Sequence, residues 1–305
     1  MTGGRQDFPG PGVLVTDGGL ATELEARGHD LSDALWSARL LDDMPNEITA
    51  AHVSFFRAGA VIATTASYQA SFDGFAARGI GRDDAAKLLL RSVELAQAAR
   101  EEVSGDGRQR WIAASVGPYG AALADGSEYR GRYGLSVAAL KTWHRPRLEI
   151  LAQAGADLLA LETVPDAGEA EALVSLVDEL GVPAWLTFNV AGDRTRAGQP
   201  MAEAFSIAAA SPHIIAVGVN CCSPADAAPA IAVARSITGK PAIAYPNSGE
   251  GWDSQHLTWT GPSRFSAEMV RHWIDAGASV VGGCCRVRPA DIAIAAAVTG
   301  TRDLG

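Results

Sequence analysis

The sequence predicts a single (β/α)8 TIM barrel, and three observations carry that expectation. Short, nearly continuous apolar runs rich in β-branched residues alternate eight times with longer Ala-, Leu- and Glu-rich segments. This is the pattern of parallel strands buried on both faces and joined by crossover helices. Three helix-to-strand junctions repeat one phrase, at Ala58-Gly59-Ala60-Val61, Ala154-Gly155-Ala156-Asp157 and Ala276-Gly277-Ala278-Ser279, and a glycine just past a helix end is a stop signal. No linker-like shift of composition divides the 305 residues, and α/β barrels occupy roughly 250 residues as one unit. The alternative, an open doubly wound sheet, lacks support because no Gly-x-Gly-x-x-Gly follows the first strand.

Taken in order, the strands are expected at Val13–Thr16, Val61–Thr65, Trp111–Val116, Leu158–Leu161, Ala184–Asn189, Ile214–Val219, Pro241–Ala244 and Ser279–Gly282. The crossover helices fall at Asn46–Ala58, Arg82–Val103, Ser136–Ala154, Ala167–Leu180, Met201–Ala209, Pro224–Ile237, Ser263–Ala276 and Pro289–Val298. Residues 1–12 carry Arg5 and Asp7 without an apolar stretch, so they are expected to be a flexible tail and not a signal peptide, with 13–305 forming the barrel.

Charge excludes several classes of partner. Thirty-five acidic against 25 basic residues leave a net charge of -10 with no Lys/Arg stripe, so the electrostatic footprint of nucleic-acid binding is missing. The longest uncharged run, Ala204 to Ala225, is broken by Pro212, His213, Gly218 and Asn220, which a span of about 20 residues does not readily accept. A cytoplasmic enzyme with small-molecule substrates is expected, and a monomer is the favoured assembly. The four cysteines form two adjacent pairs, Cys221-Cys222 and Cys284-Cys285, poor spacing for a disulfide framework and compatible with a reducing compartment.

Reactive groups of such a barrel gather at the carboxyl ends of the strands. Here strand one ends in Asp17-Gly18-Gly19, strand four in Glu162-Thr163, strand six in Asn220-Cys221-Cys222 and strand eight in Gly282-Gly283-Cys284-Cys285-Arg286. Buried cysteines commonly pack as small hydrophobes, and a disulfide is a further alternative, but two pairs on one rim favour a soft metal. Three thiolates and one open position suit a catalytic zinc site at the ends of strands six and eight. Adjacent strand residues point to opposite faces, so the chain must end or kink before Cys284 and Cys285, and Cys222 is left for packing. Asp17 and Glu162 are carboxylates set where burial is costly; they either receive an ammonium group or cap local backbone.

Several segments resemble the homocysteine S-methyltransferase family. They include Asp17-Gly18-Gly19-Leu20-Ala21-Thr22-Glu23-Leu24, Ala66-Ser67-Tyr68-Gln69-Ala70, Ser115-Val116-Gly117-Pro118-Tyr119-Gly120 and Asp125-Gly126-Ser127-Glu128-Tyr129-Arg130-Gly131. His144-Arg145-Pro146-Arg147, Gly218-Val219-Asn220-Cys221, Tyr245-Pro246-Asn247-Ser248-Gly249-Glu250 and Gly282-Gly283-Cys284-Cys285-Arg286 continue the match, which runs from about Val13 to Ala296. The resemblance implies that Cys221, Cys284 and Cys285 bind Zn2+, that homocysteine sulfur takes the open position, and that Asp17 and Glu162 hold its ammonium group.

It further implies a sulfonium methyl donor, S-methylmethionine or S-adenosylmethionine; betaine as donor and selenocysteine as acceptor belong to relatives within the family. A sulfonium is stabilised by an aromatic face, and Trp36 is the first candidate, with Tyr119 and Tyr129 behind it. Thr65 and Ser67 either hydrogen-bond the substrate carboxylate or simply finish strand two, Asn220 either orients the Cys221 loop or touches ligand, and Tyr245 and Asn247 line the mouth by position. The segment Gly117 to Gly134 is either a lid over the donor or a surface loop. A zinc-thiolate protein without catalytic activity is the alternative of a different class, and it leaves Asp17 and Glu162 without a task.

Overall fold

The computed structural model describes residues 8–10, 12–31, 36–253 and 258–300. Its eight barrel strands are β1 (Leu14–Val15), β2 (Ile62–Thr64), β3 (Trp111–Val116), β4 (Leu158–Val164), β5 (Ala184–Phe188), β6 (Ile214–Asn220), β7 (Ala242–Tyr245) and β8 (Ala278–Val281). Eight crossover helices follow them: α1 (Pro45–Ala58), α2 (Arg82–Glu102), α3 (Val137–Gln153), α4 (Ala167–Leu180), α5 (Met201–Ala209), α6 (Pro224–Thr238), α7 (Ala267–Asp275) and α8 (Pro289–Thr299).

All neighbouring strands pair in parallel, in the spatial order β1-β8-β7-β6-β5-β4-β3-β2. A parallel bridge between Thr16 and Ile62 joins β1 to β2 and closes the ring. That closure excludes the open sheet. The glycines of the repeated junction phrase, Gly59, Gly155 and Gly277, have φ of 112°, 82° and 104°, which a residue with a Cβ adopts only with strain.

Two boundary differences matter. The sequence ends strand four at Leu161, whereas β4 continues to Val164 through an irregularity between Leu161 and Val164, where Thr163 has φ 60°. The seventh helix starts at Ala267 and not Ser263, because the Ser266 hydroxyl accepts the Met269 N–H and satisfies one of the orphan donors of the first turn.

Apolar side chains form two layers. Inside the ring lie Ile62, Trp111, Ala113, Leu158, Ala160, Trp185, Ala216, Ile243 and Val280; the larger cluster fills the space between ring and helices, with Phe55, Phe56, Leu173, Phe188 and Phe205 fully enclosed. Phe8, within the segment expected to be a tail, has its ring centroid 5.9 Å from that of Trp111 and 6.3 Å from that of Trp185. Trp111 is the first residue of β3 and Trp185 the second of β5, so Phe8 seals the amino end of the ring and leaves the opposite rim to chemistry.

Close strand approach fixes one residue type outright. A Cβ on Gly218 in β6 would lie 1.9 Å from the Ile243 carbonyl oxygen of β7. Overpacking typically costs about 1–3 kcal/mol, and backbone cannot step aside as a flexible side chain can. Gly218→Ala is therefore expected to lower the midpoint of thermal unfolding by several degrees or to prevent folding; an unchanged melting curve would contradict this packing.

Candidate active site

The chemistry-bearing residues converge on the carboxyl rim. The sulfur atoms of Cys221, Cys284 and Cys285 all lie within 4.8 Å of one another, and the Cys221 and Cys285 sulfurs are 3.7 Å apart. Two thiolates bound to one tetrahedral zinc at ~2.3 Å stand about 3.8 Å apart. The spacing thus fits one shared ion.

Local backbone makes that convergence possible. β6 ends at Asn220, and Cys221 takes φ 52°, swinging its side chain off the strand's alternation. β8 ends at Val281, and Gly282 and Gly283 carry the chain onward. A Cβ would meet Thr16 Cγ2 at 2.3 Å from Gly282 and Val287 Cγ1 at 2.2 Å from Gly283. The glycines thus supply room for close approach, where the sequence suggested only freedom to kink. Cys222, wholly enclosed, packs in the apolar layer outside the ring.

The thiols are electrostatically coupled. Hydrogen bonds from Cys221 and then Cys284 hold the Cys285 thiol well below its ordinary pKa, while the bond to Cys221 and then that to Cys285 push Cys284 well above. Ionisation of the cluster is thus favoured at Cys285, and a divalent cation held by the three sulfurs would take the place of the thiol protons. The Tyr129 hydroxyl lies 3.4 Å from Cys221 Sγ, and the negative sulfur and burial keep that phenol protonated.

Asp17 and Glu162 stand on the same rim, both buried. Asp17 accepts the Thr64 N–H at 2.8 Å and the hydroxyls of Thr64 and Thr16 at 3.1 Å each. Burial raises its pKa to about 7 against those hydrogen bonds, with a further push from the charge of Glu162. Glu162 accepts from the Ser115 hydroxyl and, at 3.1 Å, from the Tyr245 hydroxyl, and burial raises it to about 7 as well. Both acids are raised chiefly by burial, with the charge of Glu162 adding to Asp17 and that of Cys221 adding to Glu162, so a cation bound beside them would favour their ionised forms.

The other expected residues serve mainly to hold these groups. Asn220 accepts the Thr163 N–H at 2.6 Å and the Thr187 hydroxyl at 2.8 Å, and donates to Thr163 Oγ1 at 2.7 Å. It thereby locks β4, β5 and β6 beside Glu162. Tyr245 reaches Glu162, Thr187 and the Trp185 indole N–H. Ser67 donates to the Ser115 carbonyl at 2.7 Å, the Thr65 and Ser67 hydroxyls are 2.7 Å apart, and Thr65 Oγ1 accepts the Ser115 N–H at 3.0 Å. With Ser67 donating to backbone, the Thr65 proton goes to Ser67, so both hydroxyl protons have protein acceptors. Trp36 opens a short 3-10 helix, Trp36–Arg39, and its side chain lies outside the described residues. Tyr119 packs its ring on Tyr133 and Trp143, at 5.2 and 4.9 Å.

The segment after β3 is a fixed cover. Arg147 bonds the Gly117 carbonyl, Glu169 accepts the Tyr119 N–H at 2.6 Å, and Asp166 accepts the Arg132 N–H at 3.0 Å. This cover delivers Tyr129 to Cys221. Sequence position gives no sign of that contact between residues 92 apart, nor of the roles of Thr64 and Ser115, although hydroxyls at strand ends could have raised the question.

A family model for homocysteine S-methyltransferase matches residues 14–299. The chain belongs to the homocysteine S-methyltransferase family. Among its relatives in that family, the homocysteine S-methyltransferase of Escherichia coli is 44% identical over 92% of this chain and 93% of its own. The selenocysteine Se-methyltransferase of Brassica oleracea is 41% identical over 92% and 87%. The metallated form of the Escherichia coli homocysteine methyltransferase MmuM superposes with a TM-score of 0.86 at 42% identity, covering 95% of this chain and 97% of that one.

The raised carboxyls have a consequence for stability. From ordinary values of 3.8 and 4.5 to about 7, the folded chain holds protons that the unfolded chain has released, so stability falls as pH rises through that window. Metal-free, substrate-free protein is expected to unfold more readily at about pH 7.5 than at about pH 5. Asp17→Asn should flatten that slope by on the order of 1–4 kcal/mol, measured by chemical denaturation at both pH values; an unaltered slope would contradict the burial of a neutral acid.

Proposed function

We propose that this protein transfers a methyl group from the sulfonium of S-methylmethionine, with S-adenosylmethionine as a second donor, to the thiol of homocysteine, forming methionine. The observation that carries this reading is three mutually close sulfurs sharing a rim with two buried carboxyl groups. Zinc is the metal that suits an all-sulfur donor set with one position left for an exchangeable ligand. When bound by Cys221, Cys284 and Cys285, it lets the acceptor thiol ionise at neutral pH, whereas a free thiol with a pKa of ~8.5 stays mostly protonated.

The chain's own residues do the rest. Asp17 and Glu162 receive the ammonium group of homocysteine and so fix the acceptor's orientation, with Thr64, Thr16, Ser115 and Tyr245 holding the two carboxylates in place. Thr65, Ser67 and Asn220 brace the rim. In the transfer, the donor's S–CH3 bond breaks, its electron pair stays on the departing neutral thioether, and a new S–CH3 bond forms on the acceptor. No proton moves, so no general acid is required, and alignment of the three atoms supplies most of the rate enhancement.

Among the described aromatic side chains, Tyr129 adjoins Cys221 through its hydroxyl and offers a ring beside the path of the methyl group. The reading includes a cytoplasmic monomer acting on small molecules, since its four free cysteines need a reducing compartment. No helix among the described residues is long and apolar enough to cross a membrane.

A donor panel tests the proposal. With homocysteine present, methionine should form from S-methylmethionine, more slowly from S-adenosylmethionine, and not from betaine. Cys284→Ser should lose bound metal, measured by atomic emission, and lose about 10³-fold or more in turnover, on the scale of removing a principal electrostatic contact of the transition state. A variant that keeps both zinc and full activity would refute the ligand assignment.

A further inference from the structure

The proposed function leaves one buried charge without a task. Glu128 lies in the cover after β3 and is only 8% exposed. Its Oε2 has no hydrogen-bond partner among the described residues, while its own backbone N–H is its hydrogen-bonding neighbour. An ionised carboxylate in that condition is expensive, because burying an unpaired charge costs far more than the burial of surrounding apolar atoms returns. The nearby cation, Arg130, is 66% exposed and directed to Asp125 and Ser127.

Glu128 also lies within electrostatic reach of the proposed metal ligands. Its charge acts on Cys285 and on Tyr68, and the charge of Cys221 acts back on Glu128. Tyr129, the next residue, touches Cys221 Sγ at 3.4 Å. The placement is rigid: a Cβ on Gly120 would lie 2.5 Å from the Glu128 nitrogen, so the short helix Tyr119–Leu123 is pressed against this turn.

We infer that Glu128 is the counter-ion for the positively charged sulfonium of the methyl donor. The inference rests on the functional reading above and deepens it by assigning the donor's charge a partner. Asp17 and Glu162 are committed to the acceptor's ammonium group, whereas Glu128 stands on the cover, beside the aromatic ring that the donor methyl must approach. A reacting methyl has to come within about 3–3.5 Å of the acceptor sulfur, which brings the sulfonium next to Cys221 and hence next to the cover.

The charge change during reaction dictates which kinetic constant responds. The donor sulfur is cationic in the ground state and neutral as product, so a carboxylate beside it holds the ground state at least as tightly as the transition state. Such an interaction lowers KM and does not raise kcat. A neutral donor would leave Glu128 unpaired, so the same residue selects for sulfonium compounds over neutral thioethers.

The test is Glu128→Gln, which keeps the shape and removes the charge. Donor KM should rise roughly 30-fold or more, the loss expected on removing one member of a desolvated ion pair, with kcat unchanged or raised and KM for homocysteine unchanged. Calorimetric titration of S-methylmethionine in the absence of homocysteine should weaken in parallel. Dimethylsulfoniopropionate, which keeps the sulfonium and lacks the α-ammonium, should lose affinity by the same factor as a competitor; a loss confined to S-methylmethionine would move the contact to the ammonium and overturn the proposal. Donor affinity within twofold of wild type would also overturn it. Glu128→Asp, which retains the charge, should recover most of the donor affinity and supplies the comparison if the glutamine variant folds poorly. Wild-type protein that methylates homocysteine from no sulfonium would sink the functional reading itself, an outcome distinct from a silent Glu128.

Discussion

The end of β7 is the constraint on which the site depends. The Tyr245 carbonyl accepts the Cys221 N–H at 3.3 Å, the Pro246 carbonyl accepts the Cys284 N–H at 2.8 Å, and the Asn247 side chain accepts the Cys285 N–H at 3.1 Å while donating to the Cys221 carbonyl at 3.3 Å. Ser248 N–H then bonds the Cys285 carbonyl at 3.0 Å. Three thiol-bearing residues from two different strands are thus held in one register by four consecutive residues of the strand between them. Backbone bonds to a common support keep the three sulfurs close whether or not an ion is bound, because the strand ends that carry them cannot drift apart.

The same strand couples the thiol cluster to the carboxylates. Tyr245 hydrogen-bonds Glu162, Tyr245 and Thr187 share a bond of 2.9 Å, and Thr187 donates to Asn220, the residue before Cys221. Every group in this chain is buried, and a buried polar network tied across several strands adds rigidity to a core. The distance between the thiol cluster and the Glu162 carboxyl is therefore set by packed strands.

The fold was legible in the sequence because parallel strands buried on both faces leave unbroken apolar runs, and Trp111–Val116, wholly buried, is the clearest case. Cys221, Cys284, Cys285, Asp17 and Glu162 were legible because a barrel gathers strand ends on one rim, so position along the chain translates into position in space. Hydrogen-bond commitments were not legible. Thr65 and Ser67 sit where substrate-binding hydroxyls belong, yet the donors and acceptors that occupy them come from β3, about 50 residues away. Glu128 was hidden for a different reason: in a glycine-rich stretch flanked by Asp125 and Arg130 it looks like one member of a solvated charge run, and only the turn Ser127–Tyr129 packed against Gly120 turns it inward.

The rim can be understood through its balance of charge. Without metal and substrates it gathers three thiols, two carboxyls on the strands and a third on the cover, with no lysine or arginine among the groups that set their pKa values apart from Arg130 beside Glu128. Burial answers this by keeping Asp17, Glu162 and Glu128 protonated at the margin, each near pH 7. A metal dication, an ammonium and a sulfonium are the three kinds of charge that would let all of these acids ionise in place. The unliganded rim therefore holds an excess of buried acid that the cations of the proposed reaction would balance, and on that reading each ligand would be accommodated by loss of a proton rather than by movement of a strand.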